Sequence, residues 1–325
     1  MTLLEVQHFG LPRNKHVLVL LRTPFQAWLA EKVIEAESVS SFDLLYFTQD
    51  ASAEDRFYYA RLAGRARDAK FVYVPRQARD LLNHIGFALR AWPFVFRKRY
   101  DTTFFSSIDS YVLNALASRG ASGQLVTLDD GAANYNQAGL YFCERVPRRE
   151  RLYRHIFGAR SITETRARIA RHYTIQPKLR NIVDESRLKS IVAWDGLPAR
   201  RQQDGVPKTY FIGAPFQEVL DRHQVARLES YVRQLGVDVY VRHPREHEPL
   251  GLVAPFLDKR GRIAEEAILD DADGRSIVLV GFLSSVMFNL ASCAKTRVVL
   301  VPSGAASHNK LIGLARKVGC EIVPI

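Results

Sequence analysis

Short apolar runs alternate along this chain with segments of helical period, and that alternation restricts the fold more than any other feature. Residues 16–21, 42–47, 70–74, 103–106 and 125–128 read as buried strands, with helices expected over 27–37, 53–66, 78–89 and 111–118. Apolar strands separated by helices form parallel sheets covered on both faces. A mostly helical, Arg-rich segment follows, and 192–194 reads as a strand or part of the connection. Gly196, Pro198, Gly205 and Pro207 then stand among charged and amide residues, so 196–208 reads as a linker. Beyond it strands are expected over 209–212, 237–241, 276–280, 297–301 and 321–323, and helices over 217–235, 286–294 and 310–318. The pattern predicts two open α/β domains, 1–195 and 209–325, with a cleft between them, and 325 residues accommodate both. Pro24-Phe25-Gln26 and Pro215-Phe216-Gln217 each follow a strand and open a helix, an echo of one supersecondary unit in the two halves.

In open parallel sheets ligands bind beyond the C-terminal strand ends. Two such ends bear chemistry here. Asp129-Asp130-Gly131 follows the strand ending at Leu128, and Arg242-His243-Pro244-Arg245 follows the one ending at Val241. Gly131 permits a positive φ, so the chain turns sharply and lifts a carboxylate from the sheet edge, where partial burial suits a general base. An ordinary Asp-Gly turn accounts for the same residues without chemistry. Arg242 and Arg245 disfavour protonation of His243, and a bound phosphate reverses that sign. The segment therefore reads as a phosphate-recognition element whose imidazolium forms with the ligand. Gly281 to Ser285 joins a strand to a helix, where serines cap free N–H groups and the same geometry binds phosphate. Asp221 lies after the Gly213-Ala214-Pro215 turn, and Glu265 and Glu266 precede the strand that leads to Ser284; acids in such places are ordinarily solvated. Walker A, GxGxxG, HExxH and GxSxG patterns are missing, and the two adjacent carboxylates lack a DxD-type metal arrangement. Cys143, Cys293 and Cys320 are scattered and read as buried free thiols.

The formal charge of +12 calls for an anionic partner or surface. Arg145, Arg148, Arg149, Arg151, Arg154, Arg160, Arg166, Arg168 and Arg171 share their stretch with only Glu150 and Glu164. Phe87, Trp92, Phe94 and Phe96 alternate with Arg90, Arg97, Lys98 and Arg99. That mixture suits a membrane interface. A core helix with a solvated end is the plainer reading, and Pro93 is expected to break any single helix there. No apolar run approaches the roughly 20 residues of a membrane span, and no secretory signal opens the chain, so cytoplasm is the expected location.

Arg22-Thr23-Pro24-Phe25-Gln26, Asp129-Asp130-Gly131, Gly213-Ala214-Pro215, His243-Pro244 and Ser284-Ser285, in that order, resemble the bacterial sialyltransferases, most closely glycosyltransferase family 52, the lipooligosaccharide sialyltransferase family. The resemblance implies a GT-B fold of two Rossmann-like domains with parallel sheets facing an interdomain cleft. It implies inverting, metal-independent transfer of sialic acid or a related nonulosonic acid from a CMP-activated donor, with no further cofactor. His243 is then the acid or charge stabiliser for departing CMP. Asp129, Gly131, Gly213, Pro215, Arg242, Pro244, Arg245, Glu265, Glu266, Ser284 and Ser285 are the donor-side residues, with one of the two glutamates on the ribose. For the base, the wider class points to Asp130 or Asp129 and family 52 to Asp221; Asp221 is put first, with Asp130 positioning donor or acceptor. The implied partners are a glycan or glycolipid acceptor such as lipooligosaccharide, the anionic inner face of the inner membrane, and a second subunit in a domain-swapped dimer, but no nucleic acid. Two alternatives stay open: a GT-B transferase using a UDP- or other NDP-sugar, and a basic module that binds nucleic acid or anionic lipid without catalysis.

Overall fold

A computed structural model of the chain describes residues 16–75, 81–142, 146–192, 194, 206–218, 220–246, 248–302 and 309–325. Cys143, Arg145, positions 78–80 of an expected helix and most of the expected linker lie outside these. Contacts divide the chain into two compact units: Met1–Asp130 with Leu140–Ile191, and Gly131–Gly139 with Val192–Ile325.

The first unit runs β1 (Val17–Leu21), α1 (Pro24–Ala36), β2 (Phe42–Thr48), α2 (Ala53–Ala63), β3 (Asp68–Tyr73), α3 (Leu81–Phe96), β4 (Tyr100–Phe105), α4 (Tyr111–Gly120), β5 (Ala121–Leu128), α5 (Arg148–Phe157), α6 (Ile162–Arg168), β6 (Ile169–Thr174) and β7 (Leu188–Ser190). Its strands form one sheet in the order β3-β2-β1-β4-β5-β6-β7, parallel at every pairing. β1 shows why the apolar runs are continuous. Leu18 and Leu20 pack with Leu45 and Phe47 against Phe87, Ala91, Leu113 and Leu116 of α3 and α4, while Val17, Val19 and Leu21 are equally buried. Such a strand has no solvent face, so it has no polar alternation. α1 starts three residues before the expected 27, because the Thr23 hydroxyl accepts the Gln26 N–H and Pro24 occupies the first turn.

Three expectations change. The Arg-rich segment is helical only through α6. It then supplies β6 and β7, and the sheet edge is 188–190, not 192–194. β6, Ile-Ala-Arg-His-Tyr-Thr, escaped notice because polar His172 and Thr174 occupy positions that are fully buried. Pro93 does not break its helix: α3 passes through it. The ring is exposed, and Phe87, Ala91, Phe94 and Val95 bury the opposite side, offsetting one lost N–H donor.

The second unit runs β8 (Lys208–Ile212), α7 (Arg222–Leu235), β9 (Val239–Val241), α8 (Ala264–Ala272), β10 (Ile277–Gly281), α9 (Ser285–Asn289), β11 (Ala294–Val301), α10 (Asn309–Lys317) and β12 (Glu321–Pro324). Its sheet, β12-β11-β10-β8-β9, is again parallel. Tyr210, Ile212, Val241 and Leu279 face Ile268, Met287 and Ala315 on one side. Phe211, Tyr240, Val280 and Leu300 face Leu228 and Val232 of α7 on the other. α7 begins five residues later than its periodicity predicts, since 216–218 form a short 3-10 turn and Asp221 caps the helix.

In both sheets the strand order reverses at an inner pair. The reversals lie between β1 and β4 in the first unit and between β8 and β10 in the second. These are the switch points at which helices leave adjacent strands on opposite faces and open a crevice at the carboxyl ends.

Candidate active site

At the first switch point the chain leaves β1, β4 and β5 with polar residues that converge on Asp130. Gln26 Nε2 donates to Asp130 Oδ1 at 2.6 Å and to Ser107 Oγ at 2.8 Å. Ser107 Oγ donates to Asp130 Oδ2 at 2.8 Å, and Tyr141 Oη donates to the same oxygen at 2.7 Å. Gln26 is itself oriented by the Arg22 N–H, 2.9 Å from its Oε1, and the Arg22 guanidinium donates to Gln49 Oε1 at 2.6 Å. Ser107 is a buried non-glycine residue with φ of 53°. A side chain in the left-handed region is strained, and strain of this kind persists where surroundings over-determine it. Here the Ser107 hydroxyl is held between Gln26, from which it accepts, and Asp130, to which it donates. Asp130 itself stays partly exposed.

Asp129 points elsewhere. Its carboxylate is sealed from solvent and accepts from His172 Nε2 at 2.9 Å, Thr174 Oγ1 at 2.8 Å and the Ile175 N–H at 2.8 Å. His172 Nδ1 lies 2.8 Å from Thr127 Oγ1. Asp129 thus pins β5 to β6 and fixes the backbone that presents Asp130. Gly131 takes φ of 60°, the turn its sequence position required.

In the second unit β9 ends in the His243 turn, which is built on Glu246. This carboxyl is 3% exposed, and burial pushes its pKa up. It accepts the Tyr240 hydroxyl and, at 3.1 Å, the His243 N–H, while its own carbonyl accepts from Arg242 at 3.0 Å. The Arg245 N–H donates to His243 Nδ1 at 3.1 Å. With Nδ1 an acceptor, the ring proton of the neutral form sits on Nε2. The Arg245 guanidinium lies 3.2 Å from Glu218. Gly213, at the end of β8, is glycine for lack of room: a Cβ would come 2.5 Å from Glu246 Oε2 and 3.0 Å from the Val241 carbonyl.

After β10, Ser284 Oγ is buried and meets no hydrogen-bond partner among the described residues. Ser285 is exposed at the start of α9. A buried hydroxyl without a partner costs stability, and the Thr102 and Thr103 hydroxyls of β4 share that state. Glu265, in the first turn of α8, is 4% exposed; burial raises its pKa, and Asn289 Nδ2 donates to it at 2.7 Å. Glu266 is partly exposed.

The family 52 sequence model matches residues 42–303, which hold Asp130, Gly213, His243 and Ser284. The chain belongs to glycosyltransferase family 52. This family 52 enzyme is 25% identical over 288 residues to the N-acetyllactosaminide alpha-2,3-sialyltransferase of Haemophilus influenzae, covering 85% of this chain and 88% of that protein. It is 25% identical over 276 residues to the CMP-N-acetylneuraminate:beta-galactoside alpha-2,3-sialyltransferase of Pasteurella multocida, covering 84% and 86%. The crystal structure of TcCGT1 in complex with UDP aligns with a TM-score of 0.54 at 10% identity, over 96% of this chain and 86% of that one. At that identity the likeness speaks for the fold, which is GT-B.

Within the family 52 enzyme, Asp130 joins Gln26, Ser107 and Tyr141. Gly213 and His243 meet on Glu246. Asp221 stands apart as an exposed N-cap: its carboxylate accepts the Gln224 N–H at 2.8 Å, and Gln224 Oε1 accepts the Asp221 N–H at 3.0 Å. Asp221→Ala is expected to cost about 1 kcal/mol of stability through loss of this capping box, read by thermal denaturation, with turnover at 25 °C little changed. A large loss of turnover in the folded variant would return Asp221 to the role of base. Sequence reasoning assigned no chemistry to Gln26, Ser107, Asp109, Tyr141, Glu246 or Asn289. Ser107 carried a usable signal, following a strand end as Asp130 does, and so did Glu246, an acid three residues after His243.

Proposed function

We propose that this family 52 enzyme transfers sialic acid, or a related nonulosonic acid, from a CMP-activated donor to a sugar hydroxyl of a bacterial surface glycan such as lipooligosaccharide, with inversion. Asp130 in the first unit takes the proton of the acceptor hydroxyl. The acceptor oxygen bonds to the anomeric carbon from the face opposite CMP, the carbon–oxygen bond to the phosphate breaks, and its electron pair departs with CMP. Nε2–H of His243 faces the phosphate oxygen that gains charge and donates to it. Ser284 Oγ donates to the same phosphate, and Glu265, held by Asn289, takes the ribose hydroxyls. The observation that carries the reading is the Arg245 N–H on His243 Nδ1, which leaves the ring proton of the neutral form to Nε2. Positive charge from Arg242 and Arg245 supports transfer without a metal.

Acceptor delivery fits a peripheral membrane surface. α3, α4 and α5 pack together through Ala88, Ala115 and Phe157, and they leave Leu89, Phe96, Leu152 and Ile156 exposed beside Arg90, Arg97, Arg149 and Arg151. Apolar side chains ringed by arginine suit an anionic lipid surface, at about 1 kcal/mol per cation. Among the described residues no helix is long and apolar enough to cross a membrane.

Calorimetric titration with CMP, UDP and GDP in the presence of EDTA tests the donor class. CMP is expected to bind, and Ser284→Ala to weaken it about tenfold through one lost hydrogen bond to a charged group. Preference for UDP would move the enzyme to NDP-sugar chemistry, and indifference to all three nucleotides would remove the donor assignment.

A further inference from the structure

Asp130 does not stand alone on its phenol. Tyr141 Oη lies 2.7 Å from Asp130 Oδ2 and 3.3 Å from Asp109 Oδ1. Tyr141 is 4% exposed, and burial with two neighbouring carboxylates pushes its pKa well up, so it remains a neutral phenol. A phenol has one hydrogen, and here two acids compete for it. Burial, then the charge of Asp130, raises the pKa of Asp109. The other charged groups facing Asp109 are Arg22, which draws its pKa down, and Arg154 of α5, whose guanidinium donates to the Asp109 carbonyl. Arg154 is also 3.2 Å from Glu150.

The consequence concerns the moment of proton transfer. While Asp130 is ionised, the shorter bond holds the phenol hydrogen on it. Once Asp130 has taken a proton it is a poorer acceptor, and the hydrogen is free to swing to Asp109. No covalent bond to the phenol breaks; the only proton transferred is the one from acceptor to Asp130. A second carboxylate on the same hydroxyl therefore lowers the cost of protonating the first. We propose that Asp109 is a positioning residue for transfer, sharing the Tyr141 hydroxyl with Asp130 and receiving its hydrogen once Asp130 has taken the acceptor's proton. The inference rests on the reading of Asp130 as base.

Two substitutions move basicity in opposite directions, which a merely structural role does not. Asp109→Asn removes the like charge and leaves only a weaker, neutral acceptor for the phenol. The acid limb of kcat/KM, measured with a CMP-sialic acid donor and a β-galactoside acceptor, is expected to shift down by about one pH unit. Tyr141→Phe removes a donor from the charged form of Asp130 and is expected to shift the limb up. An acid limb unmoved in Asp109→Asn, with Asp130→Asn inactive, would overturn the coupling and leave the base in place. Full activity in Asp130→Asn would instead remove the base reading. The coupling is also read without substrate, by NMR titration of protein labelled with 13Cγ-aspartate. The Asp109 and Asp130 signals, identified by their loss in the two Asn variants, are expected to titrate in two linked steps. Independent single-step curves for both would overturn the inference, as would loss of the folded thermal transition in every variant at Asp109, Asp109→Glu included.

Discussion

Asp130→Asn is expected to lower kcat about 10²–10⁴-fold, the usual span for one positioned base, while CMP affinity and folding stay near those of the parent. Among the described residues the carboxylate accepts from Gln26, Ser107 and Tyr141, and an amide supplies one oxygen where two are used. Ser107 and Tyr141 are hydroxyls and can turn, so the variant reorganises rather than leaving a buried group unpaired. The proposed donor residues belong to the second unit, which is why nucleotide binding is a fair control for folding. Steady-state kinetics with calorimetry of CMP binding separates the outcomes. Retained kcat would move the base to another residue, and parallel loss of CMP binding would make Asp130 a donor-side residue, as its sequence motif also allows.

The contrast with Asp221 shows what local sequence carries and what it does not. Asp221 with Gln224 three residues on is an N-terminal capping signal legible from sequence alone, and the structure has that box. Asp130 looked at first like a turn residue, and its environment comes from Gln26 and Tyr141, which lie 104 and 11 residues away in the chain. No local pattern encodes such convergence. What was legible was the sheet edge. β1, β4 and β5 end where their apolar runs end, and the reversal of strand order places those ends side by side. β6 was hidden, and the core pairing of Asp129 with it, for one reason. His172, Thr174 and Asp129 satisfy one another in the core, so each reads as polar when taken singly. Glu265 likewise reads as a solvated helix acid until Asn289, 24 residues on, is seen to hold it.

His243→Ala is the second large effect expected, a fall in kcat of about 10²–10⁴-fold if Nε2–H meets the departing phosphate. The ring is oriented at both ends of its turn. Glu246 takes its backbone N–H, and the Arg245 N–H occupies Nδ1, leaving Nε2 as the only ring donor. Glutamine places an amide N–H near the position of Nε2 but takes up no proton at neutral pH. His243→Gln thus separates two ways of stabilising the leaving group. Recovery of most of the loss in the Gln variant means that a neutral hydrogen bond suffices. Activity as low as in the Ala variant means that charge on the ring is needed, which requires protonation at Nδ1 and displacement of the Arg245 N–H from it. Either result keeps His243 at the phosphate. Unchanged kcat in His243→Ala, with CMP binding intact, would remove it and shift leaving-group stabilisation to Ser284 and the two arginines.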